Sequence, residues 1–483
     1  MNLINFLQFY AKTRPNGKAL EVNGKERSFA ELKGIVSLLA YKLRQQGLQS
    51  GQVIAINTTN QELQWLLTLA CMHEQLITCS NHGYEPMPKS IKFDWHLTDK
   101  ALDFLNAKKT IQIDQKWFDE INKKIVDEIT PVEFAGSDKI ARIILSSGTT
   151  GDSKGIPLSY QKLWDRVMAR NLMNPVRGME QTLMTLSTTG GFTTAMTMLV
   201  TGEPLCLSSD PKELGKLWRS GKLDALVASP GQLAGIMKRF QQIPDFQGKV
   251  RRIFSGGSSI SNKLLDLVEN KFQAKITSLY GSTEQGLIAQ ANSRLLKASQ
   301  GTAHLVIPFA EVIITDEKGK SLPDGELGQI RSRNSSTFEG YVGDKKATPS
   351  VLKDGWFVSG DMGYMKGGAL IVVGRDSDLI NIGGVKFNPV MVDEKVLAYP
   401  GIEDAACVKI TLDSGEDIMC AAVVAPETVD LNKIHKSLVK ENGVRAPKSI
   451  LRVNKIIRNE MGKVKRLQMA KAIEEVISKQ VKR

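Results

Sequence analysis

Sulfur and imidazole are sparse in this chain of 483 residues, which holds only five cysteines and five histidines. The cysteines, Cys71, Cys79, Cys206, Cys407 and Cys420, form no CxxC pair. That excludes a disulfide framework and a thiolate zinc site, and suits a reducing compartment. The histidines form no HxxxH or HEXXH pair, so a histidine metal centre is not expected. Residues 1–16 lack the basic-then-apolar pattern of a signal segment. Long apolar runs are also missing. Residues 181–202 carry no charge and are long enough to span a bilayer, yet they are studded with threonine and broken by Gly190-Gly191. They read as buried interior, not as a membrane helix. No transmembrane segment is expected, and the chain reads as cytoplasmic.

What is present is the balance of a folded, multi-domain protein: 42% hydrophobic and 24% charged residues, over a length that suits two or three domains. Net charge is +13, and residues 433–483 alone carry fifteen Lys/Arg against four Asp/Glu. A basic end of this kind is either a solvated surface or an invitation to a phosphate-rich or acidic partner. It lacks interleaved aromatics, so nucleic acid is not expected as a partner.

Along the chain, strand-like and helix-like segments alternate. A short hairpin around Asn23-Gly24 precedes a helix with apolar positions Leu32, Val36, Leu39, Ala40 and Leu43. A strand at 51–56 and an amphipathic helix over 61–72 follow. The pattern resumes at the apolar runs 139–145, 223–228 and 250–254, each leading through a turn into a helical segment. Repeated strand-then-helix order predicts a parallel sheet covered on both faces. Beyond about residue 290 the texture changes to short strands at 309–315, 328–331, 356–358 and 370–373, separated by Gly, Pro and Asp turns, as in a small barrel. From 389 onward the segments suit a small α+β unit, with a domain boundary at Asp376–Ser377.

Five segments carry chemistry. Ser146-Ser147-Gly148-Thr149-Thr150-Gly151-Asp152-Ser153-Lys154-Gly155 follows a strand directly. Its glycines let backbone N–H groups face phosphate oxygens, and its hydroxyls and Lys154 add donors and charge. It is not a Walker loop, because Gly155 follows the lysine where that motif needs Ser or Thr. Leu279-Tyr280-Gly281-Ser282-Thr283-Glu284 sets a hydroxyl beside a carboxylate, which suits either phosphate with Mg²⁺ or the cap of a helix. Asp361 and Arg375 end two strands, as groups for ribose hydroxyls or as a structural pair. Gly462-Lys463 lies in the basic tail.

In their order, wording and separation these segments resemble the adenylate-forming superfamily of acyl-CoA synthetases, nonribosomal adenylation domains and luciferases, over essentially the whole chain. Residues 146–155 match its TSGTTGxPKG, 280–284 its YGxTE and 355–361 its GWxxTGD. Residues 374–389 are similar to GRxxDxIKxxGxxxxP, and 461–466 to xGKxxR. The resemblance implies an α/β fold. A large N-terminal AMP-binding domain of doubly wound αβ subdomains plus a small β-barrel would span 1–376, and a small mobile α+β domain 377–483. It implies that Ser147, Gly148, Thr149, Thr150, Gly151 and Lys154 hold the β,γ-phosphates of ATP. Gly256-Gly257-Ser258 would lie along the adenine with Tyr280 and Gly281. Thr283 would bind the α-phosphate, Glu284 the Mg²⁺, and Asp361 and Arg375 the ribose. Lys463 would bridge the substrate carboxylate and the α-phosphate, and Gly383-Gly384 would serve the second step after the small domain rotates about Ser377.

The implied activity is an ATP-dependent ligase that adenylates a small-molecule carboxylic acid and passes the acyl group to a thiol. CoA is the leading acceptor, and a phosphopantetheine acyl carrier protein, loaded by a freestanding adenylation enzyme, is the alternative. A non-catalytic nucleotide- or acyl-binding homologue is a third reading, against which the retained Lys463 argues. Some positions depart from the family pattern: Ser153 replaces the loop proline, Tyr160 a histidine, Asn381 a lysine and Ser377 the hinge Asp or Lys. Residues 183–191 lack both the aromatic–histidine gate and the aspartate of amino-acid activators. That uncharged segment suits an acid with a neutral tail, fatty or aromatic.

Overall fold

The computed structural model describes residues 2–81, 83–101, 107–114, 117, 132–146, 153–240, 243, 246–299, 301–344, 346–382, 385–411, 417–458, 462 and 464–481. The chain divides into two compact units, Met1–Ala298 with Leu305–Glu311 and Ser332–Phe357, and Ser299–His304 with Val312–Arg331 and Val358–Arg483.

The first unit opens with helix α1 (Ile4–Thr13) and a hairpin, β1 (Lys18–Val22) and β2 (Lys25–Ser28). Asn23 and Gly24 turn it with φ of 49° and 81°, the left-handed pair that a two-residue hairpin loop demands. Ser28 then starts α2 (Phe29–Gln45) through a reciprocal cap with Glu31, and the expected apolar stripe, Leu32 to Leu43, is buried. Next come β3 (Val53–Asn57), α3 (Gln61–His73), β4 (Ile77–Ser80), β5 (Phe93–Thr98), β6 (Ala107–Gln112), β7 (Ile140–Leu145) and β8 (Gly155–Ser159). They form a sheet in the order β6-β5-β3-β4-β7-β8, parallel except for β8. The sequence pattern leads from β7 through a turn into a helix; the structure inserts β8 first, antiparallel to β7. Pro157 is tolerated there because β8 is an edge strand.

Helix α4 (Tyr160–Met173) crosses to a second sheet, built from β9 (Glu180–Thr182), α5 (Thr189–Thr201), β10 (Leu205–Cys206), α6 (Pro211–Ser220), β11 (Ala225–Ala228), α7 (Pro230–Phe240), β12 (Arg252–Gly256), α8 (Asn262–Phe272), β13 (Lys275–Ser282) and β14 (Gly286–Asn292). Over these strands its order is β14-β13-β12-β11-β9-β10-β1-β2, parallel from β13 to β1, with β14 and β2 antiparallel to their neighbours. Both sheets therefore show the expected alternation. The uncharged stretch 181–202 is α5 and its approach, interior to the unit, with Phe192, Ala195, Met196 and Met198 in the core. In such sheets ligands gather at the carboxyl ends of strands, here the ends of β7, β12 and β13.

In the second unit, residues 361–366 of strand Trp356–Lys366 pair antiparallel with Ala369–Arg375. Beyond them, strands Asp404–Thr411, Asp417–Val424 and Ser449–Arg452 form a small mixed sheet. Alternation buries both of its faces. Ala405, Cys407 and Met419 pack with Val392, Val396, Ile434 and Leu438, while Ala406, Val408 and Cys420 pack with Met469, Ala470 and Ile473. This is the α+β unit that the sequence anticipates. Among the described residues no helix is long and apolar enough to cross a membrane.

Candidate active site

The phosphate-loop segment is the connection of the β7–β8 hairpin. At its neck Leu145 pairs with Gly155, Ser146 N donates to the Lys154 carbonyl at 2.9 Å, and Lys154 N donates to Ser146 Oγ at 3.3 Å. Ser147, Gly148, Thr149, Thr150 and Gly151 lie outside the described residues. Lys154 itself is half-buried, and its ammonium lies 5.0 Å from the ring centre of Tyr341.

At the end of β12, Gly256 lies opposite Leu279 of β13, whose carbonyl oxygen would stand 3.0 Å from a Cβ. Gly257 follows with φ of 93°, and Ser258 is exposed. Strand β13 slips register against β14 between Tyr280 and Gly281. A Cβ on Gly281 would meet the Gly286 carbonyl oxygen at 2.0 Å, so only glycine lets the hairpin close here.

Thr283 and Glu284 form the tip of that hairpin, not the start of a helix, so the helix-cap reading of this pair is overturned. Three strangers to the motif hold the tip. Arg166 of α4 is buried, and its Nη2 donates to the Thr283 carbonyl at 2.9 Å and the Ser336 carbonyl at 3.4 Å. Burial pushes its guanidinium down to about 10, opposed by the Glu284 carboxylate. Phe338 N donates to the Glu284 carbonyl at 2.8 Å. The Tyr341 hydroxyl donates to Glu284 Oε1 at 3.0 Å. Gln285 beside them is buried, its side chain donating to the Ser332 carbonyl at 2.7 Å and accepting from Ser332 Oγ at 2.6 Å.

Tyr341 thus touches both Lys154 and Glu284, which come from different motifs. Sequence reasoning missed it. The available signal was an aromatic following Gly340, whose φ is 153°, in a polar stretch.

The gate-like segment 183–191 approaches α5. Thr185 and Ser187 hydroxyls bond at 2.7 Å, Thr188 Oγ1 caps α5 by accepting from Gly191 N at 3.2 Å, and Gln61 Oε1 accepts from Leu186 N at 2.9 Å. A Cβ on Gly191 would fall 2.3 Å from the Thr185 carbonyl oxygen, which keeps this wall tight. Behind it Arg142 is fully buried. Its guanidinium donates to Thr78 Oγ1, Ser80 Oγ and the Leu186 carbonyl and lies over the Phe192 ring at 4.3 Å. Burial pushes it down to about 10.

In the second unit, Asp361 and Arg375 stand opposite each other on paired strands, Nε to Oδ1 3.5 Å. They are a surface-facing pair, half-exposed on the arginine side, which is compatible with either earlier reading. Gly383, Gly384 and Lys463 lie outside the described residues. The flanks of Lys463 are anchored. Arg458 Nη1 donates to the Gly462 carbonyl at 2.8 Å and Arg458 Nη2 pairs with Asp404 at 2.6 Å. Arg466 pairs with Asp393 at 2.5 Å and donates to the Cys407 carbonyl.

Among the described residues no three His, Cys, Asp or Glu side chains converge as a metal cage. Glu284 offers a single, half-buried carboxylate on which no ion pair closes among them. That donor set fits Mg²⁺ arriving on nucleotide phosphates, an ion that keeps several waters and takes only one or two protein carboxylates.

A model of the AMP-binding enzyme family matches residues 90–342, and the chain belongs to that family. Several relatives match nearly its whole length. The 2-succinylbenzoate–CoA ligase of Listeria monocytogenes is 25% identical over 486 residues, covering 96% of this chain and 98% of that protein. The indoleacetate–CoA ligase of Aromatoleum aromaticum is 24% identical over 501 residues, covering 96% and 97%. Among solved structures, o-succinylbenzoate CoA synthetase from Bacillus subtilis, in complex with its acyl-adenylate intermediate, superposes with a TM-score of 0.84. It is 21% identical and covers 96% of this chain and 97% of that one. The α/β fold and the adenylate-forming family expected from the motifs are both upheld.

Proposed function

We propose that this protein is an ATP-dependent acid–thiol ligase: it forms acyl-AMP and pyrophosphate from a carboxylic acid, then passes the acyl group to CoA. The observation that carries this is the convergence of Lys154 and Glu284, a cation and a carboxylate from separate motifs, on one tyrosine at the strand ends of the first unit. Attack of a carboxylate on a phosphoryl group joins two anions and gathers charge in the transition state, so fixed cations lower the barrier. Bound at Glu284, Mg²⁺ supplies charge neutralisation on the phosphates. Lys154 neutralises the departing pyrophosphate, and Thr283 donates to the α-phosphate. Lys463 neutralises the reacting centre. Ser147, Gly148, Thr149, Thr150 and Gly151 cradle the β,γ-phosphates. Gly256, Gly257, Ser258, Tyr280 and Gly281 form the adenine wall, and Asp361 with Arg375 takes the ribose. No general base is needed, because the acid is already ionised at pH 7.

In this reading residues 1–376 carry the first half-reaction, and residues 377–483 rotate about Ser377 to bring Gly383-Gly384 into the second. An aromatic acid fits best: the hydroxyl-lined, uncharged wall at 183–191 offers no carboxylate for an amine, and the named relatives act on two acids that share an aromatic ring, 2-succinylbenzoate and indoleacetate. The cytoplasm is the site of action, in keeping with five buried, unpaired cysteines.

Pyrophosphate release over a panel of aromatic, fatty and amino acids, with and without CoA, tests this. The expected result is release with aromatic acids, accelerated by CoA and abolished in Lys463→Ala. Release indifferent to CoA assigns the thiol to a carrier protein. Absence of release with every acid, while ATP still binds, overturns the catalytic reading.

A further inference from the structure

We infer that Tyr341 is a positioning residue that sets the metal-binding carboxylate and the phosphate-binding ammonium at a fixed separation, with its two ends doing separable jobs. The inference rests on the nucleotide roles proposed for Glu284 and Lys154.

Tyr341 is buried and lies in the 332–357 segment of the first unit, 57 residues from Glu284 in sequence. Its ring is packed against Phe338, with centroids 4.9 Å apart, and Phe338 packs against Phe357 at 5.8 Å. Its backbone N–H donates to Thr348 Oγ1 at 3.1 Å. The ring therefore has a fixed position before any ligand arrives. One face takes the Lys154 ammonium, where the ring quadrupole attracts a cation and holds it without forming an ion pair that would cancel its charge. The hydroxyl donates to Glu284 Oε1, which selects one rotation of the carboxylate and leaves the other oxygen for a hard cation.

The geometry also keeps Lys154 and Glu284 apart. A direct ion pair between them would leave each partly neutralised before nucleotide bound. The intervening phenol prevents this while aiming both at one place. The Glu284 backbone is held independently of the hydroxyl, by Phe338 N and by Arg166 at the neighbouring carbonyl. Deleting the hydroxyl alone should therefore free the carboxylate without displacing the turn.

The test uses the full-length protein as Y341F and Y341L. Thermal shift is measured with ATP plus EDTA and with ATP plus Mg²⁺, beside the Mg²⁺ concentration giving half-maximal pyrophosphate release. Y341F is expected to match wild type in melting temperature and in ATP affinity without metal, but to need ~3–10-fold more Mg²⁺, the range for losing a hydrogen bond to a charged group that water partly replaces. Y341L is expected to add a ~2–5-fold loss of ATP affinity without metal, because Lys154 loses its ring. Wild-type Mg²⁺ dependence in Y341F overturns the inference. So do variants whose metal and ATP responses fall together in step with melting temperature. A wild-type protein that takes up no ATP overturns the ligase reading, and this inference with it.

Discussion

A carboxyl group buried beside another carboxylate keeps its proton longer than one in water. Glu394 is so placed: burial, and then the charge of Asp393, push it up from 4.5 to about 7. Because the folded value lies above the unfolded one, its contribution to stability is fully present below about pH 4.5 and is lost as pH rises through 7. Glu394→Gln should leave stability at pH 4.5 unaltered and raise it at pH 8 by about 1–3 kcal/mol, allowing for partial exposure. Urea unfolding at the two pH values checks this; an equal gain at both would refute the assignment. The Asp393-Glu394 pair is visible in the sequence, but its burial is not. The same holds at the site. Lys154 and Glu284 are legible because their motifs are contiguous. Tyr341 and Arg166 are not, since they lie 57 and 117 residues from the turn they hold.

Between elements, a buried polar cluster in the first unit joins α4, β9 and β12. Glu180 is fully buried, pairs with Arg170, and lies 3.6 Å from Arg252, which also pairs with Asp224. The two arginines flank the Phe254 ring at 5.5 and 5.4 Å. Such a cluster adds little net stability when whole, but losing its central carboxylate leaves the buried Arg170 without its ion-pair partner, while Arg252 keeps Asp224. Glu180→Ala should cost about 3–5 kcal/mol, read as a fall in the urea midpoint, with Glu180→Gln intermediate. A loss under about 1 kcal/mol would mean that water reaches the arginines in solution. Periodicity located α4 and β12, because an apolar stripe or run is a local signal, but it gave no strand at β9, whose three residues are too few to show a period. It failed at β8, where five residues of edge strand lie between a loop and a helix and give no period to read.

For the molecule as a whole, the proposal divides catalysis between two arrangements of residues 377–483. Proline at 377 would fix φ and bar Asp376 from helical geometry, so the connection would be held near one arrangement. Ser377→Pro should retain pyrophosphate release in a single turnover and lose thioester formation by at least ~100-fold, as when a two-state element is held almost wholly in one state. Equal loss of both steps would point to damage of the fold; loss of neither would refute a hinge at this residue.

The sequence by itself determined the alternating α/β plan, the small α+β unit at the end, the family, and the identity of Lys154, Thr283, Glu284, Asp361 and Arg375 as the groups to examine. It could do so because periodicity and motif wording are short-range properties of the chain. Only tertiary structure decided that the Thr283–Glu284 pair tips a hairpin whose closure demands Gly281, that Arg166 braces it, and that one phenol separates the ammonium from the carboxylate. Those are contacts between segments distant in sequence, created when two sheets and a crossing helix bury their apolar faces.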